Sequence, residues 1–157
     1  MAEILSLNFK DKHSGVPETR RVGEAGEKLA AQLLIKNGYW LVLANFKTPI
    51  GRNSRGVSVT GEIDLIAFDE DTLCFIEVKT RSSDEFAAPV AAVDARKQRQ
   101  ITRTARMYRK IFRLEAIKFR YDVVSIVLKS EAKPKFEIFK GFWNEDKFKK
   151  KNWRDEF

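Results

Sequence analysis

Two apolar runs, Glu62 to Asp69 and Thr72 to Thr80, are joined only by Asp69-Glu-Asp-Thr72. A connection that short folds the runs back on each other as an antiparallel hairpin. If Phe68 pairs with Leu73, the register sets Asp64 opposite Glu77 and Glu62 opposite Lys79. Side chains alternate along a strand, so one face carries Ile63, Leu65, Ala67, Cys74, Ile76 and Val78, all apolar. The other face carries Ile66, Phe68, Leu73 and Phe75 near the turn, and Glu62, Asp64, Glu77 and Lys79 at the open end.

Two carboxylates directly opposite each other, roughly 5 Å apart at Cβ, repel and weaken a sheet unless something positive lies between them. A hard divalent cation is one remedy, because Mg²⁺ takes carboxylate oxygens as ligands while keeping several waters. Lys79, two residues beyond Glu77 on the same face, adds a fixed positive charge. The combination suits phosphodiester hydrolysis: a metal activates water, and a lysine orients the nucleophile or stabilises the transition state. The bland alternative is the solvated end of an amphipathic hairpin with cross-strand salt bridges. A one-residue bulge would also change the register and with it the facing pair.

With 157 residues the chain is the size of one domain. Its amino terminus lacks the basic start and long apolar stretch of a secretory signal, and no 18-residue apolar run occurs, so a cytoplasmic protein is expected. The single cysteine, Cys74, falls in an apolar run and reads as a buried core thiol. Residues 1–17 show no period and read as a flexible arm, residues 18–143 as the folded domain, and 144–157 as a basic, aromatic tail. Helical spacing of Val22, Ala25, Leu29 and Leu33 predicts a first helix from Glu18 to Asn37, with Asn37-Gly38 as its stop. A strand follows over Tyr39 to Phe46, then a mobile loop from Lys47 to Thr60, rich in Gly, Ser, Asn and Pro. After the hairpin come a second helix from near Pro89 or Asp94 to Phe112, a strand over Phe119 to Leu128, and another over Lys135 to Phe142.

Gly61-Glu-Ile-Asp64 with Glu77-Val-Lys79 resembles the PD-(D/E)xK motif of restriction-endonuclease-like nucleases, among them archaeal Holliday-junction resolvases. More closely, the chain resembles the YraN-like bacterial family of endonuclease-like proteins. That likeness is carried by Arg21-Val-Gly-Glu-Ala-Gly-Glu27, Asn37-Gly-Tyr39, Asn45-Phe46, Gly61 to Ala67, Phe75 to Arg81, Lys97-Gln98 and Tyr121-Asp-Val-Val124. The resemblance implies an α/β fold with a restriction-endonuclease-like αβββαβ core, a mixed central sheet flanked by helices. It implies Asp64 and Glu77 as ligands for Mg²⁺ or Mn²⁺, Lys79 as the third catalytic member, and a contribution from Glu27 on helix one. It also implies nucleic acid, DNA ahead of RNA, as the partner; resolvase-like relatives work as homodimers. Where the superfamily motif has proline before the aspartate, this chain has Ile63. Glu27 lies at the margin of the helix-one apolar stripe, where it either reaches a pocket edge or is an ordinary exposed glutamate. Glu62 reads as a salt-bridge partner of Lys79 rather than as a further ligand.

The net charge of +8 is concentrated. From Arg96 to Arg120 there are ten basic residues and one acidic residue, Glu115. On helix two, Val90, Val93, Ile101, Thr104, Tyr108 and Ile111 form an apolar stripe with Lys97 inside it. A lysine there must be paired, open into a polar pocket, or snorkel. Lys97 is therefore a candidate for phosphate contact; Gln98 beside it, which matches a polar position of the family the chain resembles, ranks after it. Arg96, Arg99, Arg103 and Arg106 make a basic face without interspersed glutamates, and Arg52 and Arg55 add charge from the loop. Such unbalanced charge suits the phosphate backbone and carries no sequence readout. The aromatic tail either stacks on unpaired bases or covers the core as an amphipathic segment.

Overall fold

The computed structural model describes residues 18–82, 93–128 and 133–149. The arm over 1–17, Val90 and the last eight residues lie outside them. The element order is α1 (Glu18–Lys36), β1 (Trp40–Arg52), β2 (Ser58–Asp69), β3 (Thr72–Arg81), α2 (Ala95–Ile111), β4 (Phe119–Val127), β5 (Lys135–Trp143) and a short 3-10 helix, Glu145–Phe148. The expected αβββαβ order is therefore present, with β5 added. The five strands form one sheet in the order β1-β2-β3-β4-β5; β3 and β4 run parallel and the other neighbours antiparallel.

Each helix covers one face of the sheet. Ala30, Ala31 and Leu34 of α1 pack with Leu65, Ala67, Cys74, Ile76, Val78, Val124 and Ile126. On α2, Ile101, Ala105 and Tyr108 pack with Ile63, Ile66, Leu73, Phe75, Tyr121 and Val123. The α2 stripe is buried from Val93 to Tyr108, but Ile111, expected within it, is exposed. α1 ends as its sequence predicts: Gly38 takes φ +90, a conformation that costs glycine little and allows the chain to leave the helix.

The approach of α1 to β3 is set by Gly26. A Cβ there would collide with the side chain of Thr80, including its Cβ, which cannot rotate away. Gly26→Ala is expected to cost about 1–3 kcal/mol in urea unfolding, with part recovered when Thr80→Ala is added. Equal stability of the single variant and the parent would show that α1 can lift off without loss.

The expected loop from Lys47 to Thr60 is instead a hairpin: β1 runs on to Arg52 and β2 starts at Ser58. Proline and glycine misled because β1 is the sheet edge, where Pro49 need not donate to a second neighbour, and the register shift between Pro49 and Gly51 absorbs the irregularity. Thr48 and Ile50 are buried on this extension. Its turn is tied by Asn53, whose side chain accepts from the backbone N–H of Arg55 and of Val57.

The β2-β3 hairpin has the expected register from Asp69–Thr72 through Phe68–Leu73 to Leu65–Ile76. Beyond that point the ladder is replaced by a side chain: Asp64 Oδ2 accepts from the backbone N–H of Val78 at 2.8 Å. The two apolar clusters locate the cause. Leu65 and Ala67 face α1 and Ile66 faces α2, yet Ile63, which strict alternation would put with Leu65, packs on the α2 side. The phase slips at Asp64. Across on β1, Asn45, between the Ala44–Leu65 and Phe46–Ile63 pairs, has φ +54. Full burial of an Ile or Leu contributes about 1.5–3 kcal/mol, and the slip leaves Ile63, Leu65 and Ile66 all buried, so it sacrifices no apolar burial.

Candidate active site

The slip turns the Asp64 side chain into the gap between β2 and β3, beside Glu77 on the central strand. Both carboxylates are buried, Asp64 9% and Glu77 3% exposed. Burial raises the Asp64 pKa well above the ordinary carboxylate range, the charge of Glu77 raises it further, and the Val78 N–H only partly offsets this. The Glu77 oxygens differ. Oε1 lies 3.1 Å from Lys79 Nζ and 3.6 Å from Lys97 Nζ, whereas Oε2 is buried with no hydrogen-bond partner.

Lys79 reaches Glu77 because residues two apart on β3 share a face. Lys97 comes from the first turn of α2, whose N-cap Asp94 accepts from the Lys97 backbone N–H at 2.9 Å. The lysine inside the apolar stripe is thus explained by an ion pair with a buried carboxylate. The Gly26–Thr80 contact sets Glu27 next to β3, and burial followed by the charges of Glu62 and Glu77 pushes the Glu27 carboxyl up to about 7. Glu27 therefore lies within the electrostatic reach of the site. Glu62 does not pair with Lys79 as expected; its partner is Lys47 of β1 at 3.7 Å, because Ile63 has taken the α2 side.

The donor set fits a hard cation: two adjacent buried carboxylates, with one buried oxygen free. Among the described residues no three His, Cys, Asp or Glu side chains form a ready-made cage. A cation here would take Asp64 and Glu77 and complete its shell with water and substrate oxygens, as Mg²⁺ commonly does.

The remaining basic candidates are only partly gathered. Arg96 is exposed. Arg103 is exposed and donates to the Ile50 carbonyl, so it ties α2 to the β1-β2 hairpin that carries Arg52 and Arg55. Arg52 donates to the Gly56 carbonyl at 2.7 Å, within its own turn. Arg99 and Arg106 are engaged by the carboxy-terminal segment: the Arg99 guanidinium lies over the Phe148 ring, and Arg106 pairs with Glu145 at 3.5 Å. Gln98 is not offered to a ligand. It is buried, donates to the Val93 carbonyl at 2.8 Å and accepts from Lys147. The described part of the tail, through Lys149, accordingly packs on α2; Trp143 also donates to Thr102 Oγ1 at 2.9 Å.

At the turn end of the hairpin lies a cluster that sequence reasoning did not single out. Arg120 donates through Nε to both oxygens of Asp122, at 2.9 and 3.0 Å, and through a terminal nitrogen to Asp69 at 2.6 Å and to Tyr39 Oη at 3.1 Å. Lys140 adds a contact to Asp69 at 2.9 Å. An arginine two residues before an acid on a strand was the available signal.

An α/β chain with this sheet order, and with a buried Asp–Glu pair and a partly exposed lysine beside it on the central hairpin, defines a class of fold and site. A family model described as "Uncharacterised protein family UPF0102" matches residues 26–126. The chain belongs to that family, as the YraN-like resemblance implied. It is 40% identical over 119 residues to a UPF0102 protein of Solibacter usitatus, covering 76% of this chain and 83% of that one. It is 44% identical over 108 residues to one of Symbiobacterium thermophilum, covering 69% and 83%. A relative from Prosthecochloris aestuarii is 38% identical over 130 residues, covering 79% and 94%. No described helix is long and apolar enough to cross a membrane.

Proposed function

We propose that this protein is a metal-dependent endonuclease of the PD-(D/E)xK type that hydrolyses phosphodiester bonds of DNA, including branched or otherwise non-canonical structures. One observation carries the reading: Asp64 and Glu77 are buried side by side with one carboxylate oxygen unpartnered. Burying two neighbouring carboxylates is costly for a structural hairpin, and a cation site recovers that cost. Bound Mg²⁺ or Mn²⁺ would polarise the scissile phosphate and lower the pKa of an attacking water. Asp64 and Glu77 hold the site, and the Val78 N–H fixes the Asp64 carboxylate. Lys79, 28% exposed and anchored by Glu77, presents its ammonium toward the charge that develops on the phosphate. Glu27 borders the site from α1 and contributes negative charge to it. The exposed Arg96, Arg52 and Arg55 supply backbone contacts without sequence readout.

A second reading, a nucleic-acid-binding module without hydrolysis, is favoured by one observation: two lysines already neutralise Glu77. Duplex, single-stranded and four-way-junction DNA incubated with Mg²⁺ or Mn²⁺ separates the two. Cleavage of at least one substrate that drops about a hundredfold or more in Asp64→Ala is expected. Binding without cleavage, salt-sensitive and indifferent to metal, would establish the second reading.

A further inference from the structure

Glu77 holds two ammonium groups on one oxygen and none on the other, and the two lysines are not equivalent. Lys79 shares a strand with Glu77 and lies 3.1 Å away. Lys97 comes from another element, sits farther off at 3.6 Å, and is 32% exposed, so it is open to a ligand without rearrangement of the backbone. Beyond its N-cap Asp94, its helix has no acidic residue in the first turn, the end of the helix dipole that favours an anion. The Asp94 side chain takes only the Lys97 backbone N–H and leaves its ammonium to Glu77.

Resting on the nuclease reading above, we propose that Lys97 couples cation binding to phosphate binding. Without a divalent cation its ammonium stands in for one at Glu77. A cation on Asp64 and Glu77 takes over that neutralisation and repels the ammonium, which then engages a substrate phosphate beside the α2 N-terminus. Lys79, held on the strand, remains with Glu77. Cation and nucleic acid thereby favour each other's binding, and by linkage the factor is the same in both directions.

Calorimetric titration of the full chain with Mn²⁺ tests the first half. Lys97→Met removes a competing positive charge a few ångströms from the site and should bind Mn²⁺ about tenfold more tightly than the parent. Lys97→Arg should resemble the parent. Equal affinity in the Met variant and the parent would overturn the role of Lys97 while leaving the cation site intact, as would Lys97→Arg behaving like Lys97→Met. Absence of Mn²⁺ binding in every form would overturn this proposal and the nuclease reading together. For the second half, binding of a short DNA duplex is measured against salt with and without Ca²⁺. Ca²⁺ should steepen the logarithmic salt slope of the parent by about one unit and leave that of Lys97→Met unchanged. The same change in both proteins, or none in the parent, would show that no phosphate contact is gained through Lys97.

Discussion

Asp122→Ala is expected to lower unfolding stability by about 3 kcal/mol, the largest single loss anticipated for a residue outside the candidate site. Asp122 is fully buried on β4, receives both Arg120 contacts, and also accepts from the Gly141 backbone N–H at 2.9 Å. Removing it strips the main partner from a largely buried guanidinium and takes the acceptor away from the Gly141 N–H, and the first of these defects is the costlier. Asp122→Asn keeps the volume and an acceptor for Gly141 and should lose roughly half as much. Urea unfolding of the three proteins provides the check; a loss below about 0.5 kcal/mol for the alanine variant would show that Asp69 alone satisfies Arg120.

The same cluster makes stability depend on pH in a defined direction. Hydrogen bonds from Lys140 and Arg120 hold the Asp69 carboxyl below its usual value. A carboxyl whose pKa is depressed by folding adds stability above its unfolded pKa, near 4, and loses it as pH falls through the folded value. The stability gap between the parent and Asp69→Asn should therefore be widest near neutrality and narrow below about pH 4.

Asp69 also opens the turn that made the hairpin legible. The four-residue connection fixes the register, and five observed pairs follow it. The slip at Asp64 was not legible, because Ile63, Leu65 and Ile66 are all apolar and hydrophobicity is blind to which face each one takes. The consequence was reached for a different reason: Asp64 adjoins Glu77 through a side chain that replaces the ladder, rather than through a continuing cross-strand pair. Lys97 was recoverable because a lysine in an apolar stripe demands a partner, although the sequence could not name Glu77. The engagement of Gln98, Arg99 and Arg106 within the fold has a common cause. Glu145, Lys147 and Phe148 reach α2 across some 40 to 50 residues of sequence, and no local pattern reveals which α2 side chains they engage. Pro49 and Gly51 read as loop residues because their meaning depends on whether the strand has one neighbour or two.

Asp64→Asn should make the metal-free protein more stable and abolish cleavage. In chelator, burial is the main force against ionisation of Asp64 in the parent, and the charges of Glu77 and Glu27 add to it. Asparagine retains an oxygen to accept from the Val78 N–H and fills the same space without a charge. Relief of that burial and repulsion is expected to raise stability by about 1–2 kcal/mol. Divalent cation reverses the order. Mg²⁺ or Mn²⁺ at about a hundred times its dissociation constant stabilises a protein that binds it by about 2.7 kcal/mol, a gain the parent should show and the variant should lack. The two melting temperatures should therefore cross as cation is added, with cleavage lost in the variant at every concentration. A variant that is less stable in chelator would mean that the carboxylate pair is a structural asset. A variant stabilised by cation as strongly as the parent would place any cation elsewhere. Only a site whose residues are costly until loaded produces the crossing, which makes it a sharper criterion than loss of activity alone.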